Sequence, residues 1–120
     1  MSAKDIQFLF TLRNQIKLFH WQTTSYAKHK ATDMLIENLD KNIDRYVEVY
    51  MGKYGRPRVR GDNGTITLKN MNEMQMLKTI RSAAAILMNS FTPAKDTDLL
   101  TIRDEMLADL NQIVYLFTLH

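Results

Sequence analysis

All four glycines, and one of the two prolines, fall inside a single stretch from Gly52 to Gly64. These residues interrupt helices more strongly than any others. Their confinement leaves a long run on either side that nothing in the backbone chemistry forces to break. Both runs carry apolar residues at intervals of three and four, the period of an amphipathic helix. The expected chain is therefore all-α: two helices, a long connection, then two more helices.

The first helix is expected from Ser2, whose spacing to Asp5 suits a capping box, to about Gln22. Ile6, Leu9, Phe10, Ile16 and Phe19 line its apolar side, with His20 one turn beyond Ile16. Thr23-Thr24-Ser25 forms a natural break and supplies N-caps for a second helix over 26–54. That helix has its stripe at Ala31, Met34 or Leu35, Leu39, Ile43, Tyr46 or Val47, and Tyr50. In the connection, Asp62-Asn63-Gly64 reads as a turn and Thr65-Ile66-Thr67 as a short extended piece. Asn70 with Glu73 suits the cap of a third helix over about 71–91, with Met74, Leu77, Ile80, Ala84, Leu87 and Phe91 inward and Thr92-Pro93 as its stop. The fourth spans about 97–119, with Leu99, Ile102, Met106, Leu110, Ile113 and Phe117 inward. Four helices with one long link in the middle make a ferritin-like four-helix bundle, with the crossover between helices 2 and 3.

At 120 residues the chain is a single domain with enough length for its own core. It has no cysteine, which excludes disulfides, thiolate metal sites and cysteine nucleophiles. No apolar run is long enough to span a bilayer, and the N-terminus lacks a secretory pattern, so an intracellular, cytoplasmic location is expected, or the host cytoplasm or virion if the source is viral. A net charge of +3 and a pI near 9.2 fall short of a nucleic-acid signature. The one dense basic cluster is Lys53, Arg56, Arg58 and Arg60, equally readable as a solvated loop or as phosphate contacts. Neither a helix-turn-helix nor an aromatic-stacking pattern accompanies it.

The chemistry-bearing residues lie along one edge of the second helix: His29, Asp33, Glu37, Asp40, Asp44 and Glu48, with His20-Trp21 just upstream. Steps of three and four keep one face of a helix. Such an edge is either a wet face, with Asp33, Glu37 and Asp40 balancing Lys30, Lys41 and Arg45, or a set of metal ligands. Mixed imidazole–carboxylate sets suit Fe(II), Zn(II) or Mn(II). Between His29 and Asp44 lie fifteen residues of rise, roughly 22 Å, too far for one ion. If both ends bind the same ion, a second helix must run antiparallel across a two-fold axis. The chain has no Glu-x-x-His pair, so a di-iron centre inside one bundle is not expected.

The His20-Trp21 pair, a short loop, His29 with Asp33, and Asp44 with Glu48 fifteen residues after His29 resemble the Dps-type mini-ferritins. That resemblance implies a homodimeric metal site with His20, His29 and Asp33 from one subunit and Asp44 and Glu48 from its partner. It implies iron as cofactor, ferroxidase activity, iron storage, oxidative protection and a dodecameric cage. Trp21 would then be a redox neighbour of the site; otherwise it is a packing aromatic. The lysine-bearing N-terminal extension of DNA-binding members is reduced here to Met1-Ser2-Ala3-Lys4, which argues against DNA binding through a tail. The alternative is a non-catalytic ferritin-like structural or interaction protein of a larger assembly, viral or nucleic-acid-associated.

Overall fold

The second and third helices begin where a side chain partners their orphaned backbone N–H groups. The computed structural model describes residues 3–91 and 95–120, for Ala3 the backbone alone. Its helices are α1 (Ala3–Gln22), α2 (Tyr26–Tyr54), α3 (Glu73–Ser90) and α4 (Thr97–Leu116), with one 3₁₀ turn at Gly61–Gly64. Ser25 caps α2 by accepting a hydrogen bond from the Lys28 N–H. At the other end Gly55, at φ 88° and ψ −178°, stops α2 while its N–H donates to the Met51 carbonyl.

The connection then travels the length of α1, held by three glutamines. Gln7 Nε2 donates to the carbonyls of Asp62 and Thr65. Gln15, buried, donates to the Lys69 carbonyl (2.6 Å) and accepts from the Lys69 N–H (2.9 Å). Gln22 donates to the Asn70 side chain (2.8 Å). The chain is thereby delivered to the far end of the molecule, where Lys28 at the start of α2 meets Glu73 at the start of α3 (3.4 Å). α4 returns antiparallel to α2: Lys53 grips Asp96 and Asp98 at its start, and Phe117 stacks on Phe19 at its end. α1 packs on α2 and α3, and α4 on α2 and α3, so neighbours around the bundle are antiparallel. This is the expected all-α four-helix bundle with one long crossover.

The core is formed by Leu9, Leu12, Ile16 and Phe19 of α1, Leu35, Ile36, Leu39 and Tyr46 of α2, Met76, Ile80, Ala83 and Leu87 of α3, and the α4 stripe from Leu99 through Leu110 to Ile113. All six inward positions expected on α4, including Phe117, are buried.

Elsewhere the register shifts. The α3 cap is Asn72, whose side chain accepts from the Gln75 N–H while Gln75 bonds back to the Asn72 N–H. Asn70/Glu73 and Asn72/Gln75 both have capping-box spacing; the second puts Met76 fully inside, leaves Met74 82% exposed, and frees Asn70 for Gln22. On α1, Leu12 takes the inward place expected of Phe10, which is 58% exposed. On α2, Leu35 is buried and Met34 exposed, and Tyr46 is buried where Val47 was the other option. Thr65-Ile66-Thr67 pairs with no strand, and α4 ends at Leu116 instead of 119. The expected Ser2 cap and the Thr92-Pro93 stop lie outside the described residues.

Candidate functional site

The short turn at 23–25 sets the last turn of α1 against the first turn of α2, and two histidines meet across it. His20 is 5% exposed. Its Nδ1 lies 2.8 Å from the His29 carbonyl and 3.0 Å from Thr32 Oγ1. His29 Nδ1 lies 3.0 Å from the His20 carbonyl, and the rings stack with centroids 3.9 Å apart at 16°. A carbonyl only accepts, so each Nδ1 carries a proton. Burial pushes the His20 pKa below its ordinary value, the opposing contribution being the bond to the His29 carbonyl. The pair is a reciprocal clasp between two helix ends.

Of the five expected metal ligands, the hairpin gathers His20, His29 and Asp33. His20 Nε2 is 3.9 Å from an Asp33 oxygen, beyond hydrogen-bond range. Asp44 and Glu48 sit, exposed, toward the opposite end of α2. Among the described residues no three His, Asp or Glu side chains group so as to hold an ion. Catalytic zinc sites take three protein ligands and structural ones four. The described side chains of one chain therefore form no such centre by themselves, and the expected site takes Asp44 and Glu48 from a second copy.

Other candidates are placed differently from expectation. Asp40 does not answer Lys41 or Arg45; Arg13 of α1 holds it bidentately, at 2.9 and 3.1 Å. Trp21 is not a packing aromatic: it is 68% exposed, with the Lys17 ammonium 5.3 Å from its ring centroid. Lys53 is engaged by Asp96 and Asp98, which leaves Arg56, Arg58 and Arg60 as the exposed basic row. The phenol of Tyr54 donates to Asp96, and this bond together with Lys53 holds the Asp96 carboxyl below its usual range.

A large concavity lies elsewhere, between the N-terminal half of α1 and the C-terminal half of α2. It is a groove of about 640 Å³ with Ile6, Phe10, Ile43, Val47 and Met51 among its walls, and Pro57 and Val59 of the connection lining it as well. Phe10 and Val59 are more than half exposed. The bidentate Arg13–Asp40 pair and Asp44 supply polar groups to its lining. Sequence periodicity alone missed this groove, because it assigned Phe10 inward; the signal available was two apolar residues, Phe10 and Leu12, competing for one face.

A small helical bundle with an open inter-helix groove and a histidine-clasped hairpin is the class that the fold and these sites define. Residues 20–117 match a family of unknown function (DUF5856), and the chain belongs to that family. It is also similar to the uncharacterized 14.6 kDa protein in the mobD-ri intergenic region of Enterobacteria phage T4, at 46% identity over 37 residues. That stretch is 31% of this chain and 29% of the phage protein, so the match spans under a third of the relative's length. No solved structure matches the chain.

These findings overturn the resemblance to Dps-type mini-ferritins. The family match contains His20, Trp21, His29, Asp33, Asp44 and Glu48, every residue that carried the resemblance, and leads to a family of unknown function with no ferritin-like or Dps match. The physical reason is on the hairpin. A His near the end of one helix and a His near the start of the next are spaced as ligands would be, and here that spacing serves carbonyl bonds and ring stacking.

Proposed function

We propose that this is a non-catalytic structural or interaction protein of a phage assembly, working as a pair of bundles in which the α1/α2 groove of each copy is covered by the other. The groove carries this proposal: it is open, apolar, and lined by side chains such as Phe10 and Val59 that no intrachain neighbour covers fully. Exposed apolar surface of this kind marks association sites. Charge distribution favours a second copy as the occupant. The exposed carboxylates of α2, Asp44 and Glu48, and the exposed arginines of the connection, Arg56, Arg58 and Arg60, flank the same region with opposite sign. A two-fold axis across this face would set the basic row of each copy against the acidic edge of the other, which is the self-complementarity an isologous contact requires. Similarity to a phage protein supports the setting, in the host cytoplasm or in the particle.

Sedimentation velocity tests the proposal. The wild-type chain is expected to sediment as a dimer, and a Phe10→Asp/Val59→Asp variant as a monomer with unchanged helical circular dichroism. Both replaced side chains are mostly exposed within one chain, so folding is preserved while pairing is not. A wild-type chain that stays monomeric at high protein concentration overturns it.

A further inference from the structure

At the other end of the α1–α2 hairpin from the groove, two large aromatic rings stand in solvent. Trp21, the chain's single tryptophan, is 68% exposed, and Tyr26 is 74% exposed. Each is accompanied by a lysine one helical turn away: Lys17 Nζ is 5.3 Å from the Trp21 ring centroid, and Lys30 Nζ is 5.8 Å from that of Tyr26. A planar ring has two faces, and an ammonium beside one leaves the other available. We infer that this hairpin end binds single-stranded nucleic acid, with Trp21 and Tyr26 as base-stacking platforms and Lys17 and Lys30 as phosphate contacts.

Three observations favour this ligand. Single-strand sites combine stacking aromatics with cations along the backbone, and sequence-tolerant stacking needs only an accessible ring face. A protein partner is the competing occupant, but the cores of protein interfaces are depleted in lysine, and here each exposed ring carries one. Second, the platform is rigid before any ligand arrives. The His20–His29 clasp, the Ser25 cap and the Gln22–Asn70 bond all fix the turn between the two rings. A preorganised site loses less freedom on binding. Third, the local charge is suitable: Glu73 is matched by the buried Lys28, which leaves Asp33 as the acidic neighbour of the clasp against Lys17 and Lys30. None of these residues lines the groove, so the site stands apart from the proposed pairing.

The test is a titration of the full chain with an unstructured oligothymidylate, read by Trp21 emission and by anisotropy of the labelled strand. Stacking on Trp21 is expected to quench its emission, and duplex DNA of equal length is expected to bind at least about tenfold more weakly at the same salt. Trp21→Ala and Tyr26→Ala should each weaken binding by about 5- to 150-fold in the anisotropy measurement, with circular dichroism unchanged. Lys17→Gln/Lys30→Gln should reduce the log–log salt slope by about 1.4. Unquenched emission at saturation, equal affinity for duplex, alanine variants that bind like wild type, or no binding at all would each overturn the inference.

Discussion

His20 is held as a neutral imidazole where two helix ends must stay together. Its Nδ1 is shared between the His29 carbonyl and Thr32 Oγ1, and Thr32 is itself fully buried and bonded to the Lys28 carbonyl. Protonation would add a charge inside this closed network and beside the stacked His29 ring. Burial, the largest cause, accordingly lowers the His20 pKa in the folded chain. The unfolded chain takes up this proton first, near pH ~6.5. Stability from this group is complete above that value and declines as pH falls toward the lower folded pKa, because the unfolded state binds more protons there. The urea midpoint is expected to drop between about pH 7.5 and about pH 5.5, and His20→Gln, which keeps an amide donor, is expected to flatten that slope. The carboxylates of Asp96 and Asp98 add their own dependence only in more acid solution, since Tyr54 and Lys53 hold the first, and Lys53 the second, below the ordinary range. An unchanged midpoint over the window, or an equal slope in the variant, contradicts the assignment. Tyr46 lies at the opposite extreme: burial pushes its phenol up to about 12.

The elements end where single residues require it, and Gly55 shows how sharply. At φ 88° and ψ −178° it occupies a region essentially reserved for glycine, although a Cβ there would meet nothing within 4 Å. The cost of Gly55→Ala is therefore backbone strain alone, about 1–3 kcal/mol. Gly52, three residues earlier and inside α2, also has open space but no unusual φ; Gly52→Ala should stabilise by about 0.5–1 kcal/mol, as expected inside a helix. Urea unfolding of both variants checks the contrast, and effects of equal sign would contradict it. The Gly/Pro cluster made this boundary legible in the sequence, and α2 ends at Tyr54 as expected. Regular stripes were legible too, as all six α4 positions show. Register was lost where two solutions shared one local pattern. Both Asn70/Glu73 and Asn72/Gln75 satisfy cap spacing, and tertiary contacts separate them: Met76 is buried in place of Met74, and Asn70 accepts from Gln22. The clasp was hidden for the same reason: spacing placed His20 and His29 together, but their use of carbonyl partners is a three-dimensional fact. Trp21 and Tyr26 carried a readable signal, a lysine four residues away from each, that periodicity analysis passes over.

At the scale of the whole molecule, the crossover determines which surfaces remain free. Gln7, Gln15 and Gln22 bind the connection along α1, so one flank of that helix is covered by its own chain, while the α1/α2 groove stays open beside it. If a second copy fills that groove, folding and pairing share one equilibrium. A partner that binds the native state and not the unfolded one adds stability that grows with the logarithm of its free concentration. The midpoint of thermal unfolding of the wild-type chain is therefore expected to rise with protein concentration. For a chain of 120 residues, each 1 kcal/mol of added stability moves it by about 4 °C. The Phe10→Asp/Val59→Asp variant should lose this dependence and match the wild type only at the dilute end, where the monomer dominates. A groove that serves no pairing predicts midpoints independent of concentration for both proteins, and scanning calorimetry over a wide concentration range decides between them.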